Sequence, residues 1–197
     1  GVELKDLPAL TGGFTIVKAE TADKDETWEP VWGEVRQIRN RYRELAVTLQ
    51  QTSANNRRLV LRFRLFDDGL GFRYEFPAQD ALKYFTVTDE KTEFNLTGDH
   101  KAFWIPGDYD TNEYAYSTTK LSEVNATKGM SEKEIAVKTI PADNVVQTPL
   151  MLKTADGLYV NIHEAALVNY PAMNLDVDRR GFSLTSKRTL FRAQLLG

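Results

Sequence analysis

The sequence predicts an all-β domain, a sandwich or a barrel, because apolar residues recur with a period of two and compact turn clusters separate the runs. A sustained helical period of 3.6 is missing from the chain, so helix is expected to be minor. Leu45, Val47 and Leu49 alternate with polar neighbours, and Leu59, Leu61, Phe63 and Leu65 alternate with Val60, Arg62 and Arg64. Asp67-Asp68-Gly69-Leu70-Gly71 then forms a turn cluster, after which Phe72, Tyr74 and Phe76 alternate with Arg73 and Glu75, which predicts a hairpin. Leu82 to Thr88, Thr92 to Leu96 and Lys133 to Ile140 read as further strands, rich in β-branched and aromatic residues. A second hairpin is predicted with arms Pro149 to Thr154 and Leu158 to Glu164 around Ala155-Asp156-Gly157, and Gly181 to Arg188 as a late strand. Ser131 to Glu134 and the region around Ala165 are the two places where a helix could start. The interval from Pro106 to Met130 is rich in Asp, Asn, Tyr, Ser and Thr and reads as an exposed excursion of the kind that often carries function.

A length of 197 residues fits one β domain, and neither a linker nor an internal repeat divides it, so a single domain over 1–197 is expected. Hydrophobic residues at 42% and aromatics at 11% supply enough apolar material for a sizeable core. The formal charge of -3 lacks the basic surplus on which nucleic-acid binding depends, so nucleic acid is not an expected partner. Without cysteine there is no thiolate nucleophile, thiolate metal site or disulfide framework. No apolar run approaches the roughly 20 residues of a membrane-spanning helix, and Gly1 opens directly into strand-like sequence.

Candidate chemistry is sparse. Glycoside chemistry needs two carboxylates about 5 to 10 Å apart, and no pair stands out among the 28 acidic residues, most of which stand in turns or on solvent faces. His100 has no partner at metal spacing, and no Gly-x-Ser-x-Gly elbow is present. Asn95 and Asn125 begin glycosylation triplets of the kind that chance supplies. His163 and Glu164 stand at a strand end, where they either point into a cleft, the carboxylate able to hold a hard cation such as calcium, or pack at a sheet rim. Trp104, Tyr109, Tyr114 and Tyr116 lie in or beside the polar excursion among Asp108, Asp110, Asn112 and Glu113. Such aromatics either form a carbohydrate platform, sugar rings stacking on their faces, or pin a long loop to the domain.

Several segments taken together resemble the N-terminal domain of family 97 glycoside hydrolases, the bacterial α-glucosidases and α-galactosidases. They are Trp28-Glu29-Pro30-Val31-Trp32-Gly33-Glu34 with Ile38-Arg39-Asn40, the run from Phe63 through Phe76, Glu90 to Phe94, Trp104-Ile105-Pro106, Asn112-Glu113-Tyr114, Thr148-Pro149-Leu150 and His163-Glu164-Ala165-Ala166-Leu167. The resemblance implies a β-super-sandwich, a large two-sheet antiparallel sandwich, truncated so that it starts near the family's third or fourth strand and stops before the Pro-Trp-Arg segment that leads into a (β/α)8 barrel. It implies that the fragment alone is inactive, that the barrel of the same polypeptide supplies the catalytic groups, and that α-linked oligosaccharides are the substrates. It also implies a calcium ion shared with barrel residues, Glu164 being this chain's ligand, and a periplasmic or cell-surface setting in a bacterium. An independent carbohydrate-binding module is the competing expectation, carried by Trp104, Tyr109, Tyr114, Tyr116 and His163.

Overall fold

A computed structural model describes residues 1–53, 55–128, 139–168, 170–188 and 193–196. Its strands are β1 (Val2–Leu4), β2 (Leu7–Leu10), β3 (Phe14–Trp28), β4 (Ile38–Gln51), β5 (Arg57–Leu65), β6 (Leu70–Glu75), β7 (Tyr84–Glu90) and β8 (Glu93–Asn95). They continue as β9 (Lys101–Trp104), β10 (Ser117–Lys120), β11 (Val145–Gln147), β12 (Leu150–Lys153), β13 (Tyr159–Ile162), β14 (Met173–Asp178), β15 (Ser183–Arg188) and β16 (Ala193–Leu196). Helix among the described residues is confined to single 3₁₀ turns at Asp80–Leu82 and Leu121–Glu123. The segment around Ala165 is irregular rather than helical, while the strand expected at Lys133 to Ile140 and the helix start at Ser131 to Glu134 lie largely or wholly outside the described residues.

The all-β expectation holds, but the two-sheet super-sandwich does not. The strands divide among four four-stranded sheets, in the orders β16-β7-β1-β2, β3-β4-β5-β6, β10-β9-β12-β13 and β11-β14-β15-β8. A period of two identifies which side of a strand is apolar and leaves open which strand lies beside it. The run at 92–96 shows the difference: its strand pairs with β15, Ser183 opposite Asn95, and not with the β7 strand that precedes it in the chain.

The chain divides into two compact units, Gly1, Asp6–Phe85 and Leu196–Gly197 forming one, and Val2–Lys5 with Thr86–Leu195 the other. In the first, β3 to β6 make a meander of hairpins, and Leu65 stands opposite Leu70 across the turn at 66–69, as the turn residues predict. Leu10, Leu59 and Leu82 are fully buried, and Phe76 meets Phe85 with ring centroids 5.0 Å apart. On the polar face of the meander Arg62 is bidentate to Glu75 at 2.6 and 2.9 Å and also bonds Glu44, which accepts from Arg64 at 2.9 Å. The hydrogen bond from Arg64 above all, against the effect of burial, holds the Glu44 carboxyl below its usual range.

In the second unit one hydrophobic cluster draws on two sheets, with Ala102, Trp104, Leu150, Leu152 and Ile162 from one and Val146, Met173, Leu175, Val177 and Leu184 from the other. The predicted hairpin at 155–157 is present, Lys153 standing opposite Tyr159 and Leu150 opposite Ile162. Alternation along β13 decides what faces inward: Ile162 is buried and Val160 packs on the cluster, whereas Tyr159 and Asn161 are exposed.

Candidate functional site

The polar interval that follows β9 is exposed in part, as at Asn112, Glu113, Tyr116 and Ser122, but Pro106 to Asp108 and Tyr114 are buried, contrary to its reading as an exposed excursion throughout. Pro106 bridges to Val146, Gly107 N–H donates to the Val145 carbonyl at 2.8 Å, and Gln147 N–H donates to the Ile105 carbonyl at 3.2 Å. The backbone at Gly107 comes so close that a Cβ there would lie 2.4 Å from Val145 Cγ1 and 3.0 Å from its carbonyl carbon. Gly107→Ala is therefore expected to cost about 1–3 kcal/mol of stability, read as a lower urea midpoint at unchanged slope.

Asp108 organises the turn that follows and is only 3% exposed. Its Oδ1 accepts from the amides of Asp110 and Thr111 at 2.8 and 3.3 Å and from the Thr139 hydroxyl at 2.6 Å. Its Oδ2 accepts from the Tyr114 hydroxyl at 2.7 Å and the Thr139 amide at 3.0 Å. Burial is the largest influence on this carboxyl and acts to raise its pKa, but the donors from Thr139, Asp110 and Tyr114 together outweigh it and bring the group down to about 2. Gln147 Nε2 reinforces the turn by donating to the carbonyls of Asp108 and Thr111 at 3.1 and 2.7 Å.

The aromatic candidates separate on this frame. Trp104 is 2% exposed and its indole N–H donates to Thr119 Oγ1 at 3.0 Å, while Tyr114 is 8% exposed and held by Asp108. Both rings fasten the interval to the domain and offer no open face to a sugar. Tyr109 is half-buried, with its amide on Thr139 Oγ1 at 3.1 Å, and burial followed by the nearby charge of Asp89 pushes its phenol up. Tyr116 is exposed.

His163 and Glu164 follow β13, the strand ending at Ile162 and not at Glu164. His163 is exposed; Glu164 is half-buried, and its Oε2 accepts the Met173 amide at 2.8 Å, which fixes the carboxylate at the start of β14. The residues after it, Ala165 to Val168, are exposed. Among the described residues no three His, Asp or Glu side chains are grouped as a metal cage. As a donor set for calcium, Glu164 is a hard oxygen ligand held in one orientation, which fits such an ion in kind but fills one or two of the six to eight positions it takes.

Asp108, Thr139 and Gln147 escaped the sequence reading as a unit. One signal was present: an Asp followed by residues whose amides at two and three positions further on can bond its side chain is a turn-forming pattern.

The chain matches the glycosyl-hydrolase 97 N-terminal family over residues 1–193. It belongs to that family. Among solved structures, a glycoside hydrolase family 97 enzyme from Pseudoalteromonas sp. strain K8 in complex with acarbose, and a variant of it in complex with panose, superpose with a TM-score of 0.79 at 30% identity. The alignment covers 98% of this chain and 28% of theirs. A curated relative, the retaining alpha-galactosidase of Bacteroides thetaiotaomicron, is 25% identical over 162 residues, which is 76% of this chain and 20% of the relative. The family 97 N-terminal chain described here thus spans less than a third of the length of these enzymes.

Proposed function

We propose that this chain is the non-catalytic N-terminal domain of a bacterial α-glycosidase, an α-glucosidase or α-galactosidase acting on oligosaccharides, that packs on a catalytic (β/α)8 barrel of the same polypeptide and completes the rim of its active site. The observation that carries the reading is the match of almost the whole chain to 28% of an enzyme solved with acarbose and with panose. Glu164 is the residue assigned to the rim, supported by its place after β13 and by the Met173 amide that orients it. It would act as one ligand of a calcium ion whose other oxygens come from the barrel, and a calcium ion so placed would stabilise negative charge on a bound oxygen group. A periplasmic or cell-surface setting is part of the same proposal.

In the complete enzyme, Glu164→Gln is expected to raise the calcium concentration that gives half-maximal activity by at least about tenfold. The melting temperature of the apo enzyme should stay within a few degrees, because the amide side chain still offers an oxygen to Met173. A calcium titration that superimposes on that of the unaltered enzyme would remove the assignment of Glu164.

A further inference from the structure

The β3–β4 pair is longer than the sheet to which it belongs. Strand β5 pairs with β4 only from Gln51 to Arg43, whereas β3 and β4 continue pairing as far as Trp28 opposite Ile38. Beyond the Arg43–Leu65 pair the two strands run on as a ribbon for roughly 17 Å at the usual rise per residue. Two-stranded ribbons in water are marginal by themselves. This one is stiffened along its length by cross-strand polar contacts: Arg39 is bidentate to Asp25 at 2.8 and 2.6 Å, and Asn40 Nδ2 donates to Glu26 at 3.0 Å.

The end of the ribbon exposes a group of large apolar side chains, with Glu29, Glu34, Arg36 and Gln37 among them. Trp28, Val31, Trp32, Val35 and Ile38 stand at its tip, with Val31 100% and Trp32 87% exposed. Trp28, Val35 and Ile38 are partly exposed, at 49, 57 and 37%, and with an exposed Trp contributing about 150–250 Å² and the aliphatic side chains less, the five present roughly 600 Å² of mainly apolar surface. Of the polar groups at the tip, Arg36 and Gln37 both reach Glu29, at 3.6 and 3.4 Å. The apolar area at the tip is at the upper end of the patch of about 300–600 Å² that a monomer ordinarily exposes, and such patches are often functional.

We infer that the tip of the β3–β4 ribbon is a plug that seats in an apolar recess of the catalytic domain carried by the same polypeptide. The inference rests on the function proposed above and adds the surface through which the domain docks. A second copy is the weaker occupant on two grounds. A stable association between separate chains needs about 800 Å² per partner, more than the tip offers, while a tethered domain enjoys a millimolar effective concentration and holds with less. Strand β3, the open edge along which another copy would add, carries Lys18, Glu20, Asp23, Lys24, Asp25 and Glu26 and is exposed over nearly its whole length, the usual guard against edge pairing.

The test uses the complete polypeptide with Trp32 replaced by p-benzoylphenylalanine, irradiated and digested for mass spectrometry. Cross-links from position 32 into the downstream domain of the same molecule are the expected result. In the unmodified protein the amides of 31–36 should exchange at least tenfold more slowly than those of an open loop. Covalent dimers joined at position 32 would overturn the inference, as would the absence of cross-links together with open-loop exchange across 31–36. A polypeptide with no downstream domain would remove the proposed function along with the plug. An unchanged calcium response in Glu164→Gln with downstream cross-links from position 32 would leave the plug standing and remove only the role of Glu164.

Discussion

Asp108→Ala is expected to lower stability by about 3–4 kcal/mol, since each buried donor left without an acceptor costs about 1–3 kcal/mol and water can reach some of those stranded here. The donors concerned are the hydroxyls of Tyr114 and Thr139 and the amides of Asp110, Thr111 and Thr139. A pH dependence accompanies the mechanical role. The carboxyl has an ordinary value of 3.8 and is held at about 2 in the folded protein. A depressed folded-state pKa stabilises the protein above the unfolded value, and that contribution is lost as pH falls through the folded one. Asp108 therefore contributes about 2 kcal/mol that is fully present above about pH 5, declines as pH falls from there toward 2, and vanishes below both values. Urea unfolding at pH 7, 4, 3 and 2 checks this: the gap between the unaltered protein and Asp108→Asn should narrow by about that amount on acidification. A gap that stays constant with pH would mean that the carboxylate charge contributes nothing.

Trp104→Ala is expected to cost about 3–5 kcal/mol, the range for removing a large aromatic from a packed core. Trp104 sits in the cluster shared by two sheets, and its indole N–H is already committed to Thr119. Trp104→Phe should lose less, about 1–2 kcal/mol, as it keeps most of the apolar contact and gives up the hydrogen bond. Tyr116→Ala, at an exposed ring, should stay within about 0.5 kcal/mol of the unaltered protein. Thermal and urea unfolding of the three variants would establish the order, and equal losses at 104 and 116 would contradict the packing described here. It follows that a loss of sugar binding on replacing Trp104 would report a damaged core, whereas the same loss at Tyr116 would report a contact.

The parts of the fold legible in the sequence are the local ones. Asp67 to Gly71 and Ala155-Asp156-Gly157 announced their hairpins because turn residues and flanking alternation lie within a dozen residues of each other. Strand β3 was not read as a strand, since the stretch from Lys18 to Glu26 is polar on both sides. Its extended form is imposed by pairing with β4 along its entire length, and no buried face marks it. The division into four sheets was hidden for a related reason: Thr92 meets Ser186 and Glu93 pairs with Thr185 across more than half the domain's second unit, and nothing in either segment names the other.

The candidate site was legible in outline. The end of an apolar alternation at Ile162 placed Glu164 at a strand terminus, but its tie to Met173 crosses a loop and has no sequence signature. The polar composition of the interval after Trp104 predicts exposure, which holds at residues such as Asn112, Glu113 and Tyr116 and fails at Asp108 and Tyr114. Polarity predicts exposure only when the polar groups lack partners in the fold, and Asp108 with Gln147 supplies those partners internally.

The pairing order also sets a timetable for synthesis. Strands β3 to β6 neighbour one another in sequence, so their sheet has all of its members once residue 75 has been made. Strand β8 waits for β15, Asn95 for Ser183, a delay of roughly 4 to 18 s at ordinary rates of translation. During that interval the emerging chain carries a finished meander followed by strands with unpaired edges. A pause or truncation before residue 183 would leave β8 without its partner and β14 paired on one side only, with β11.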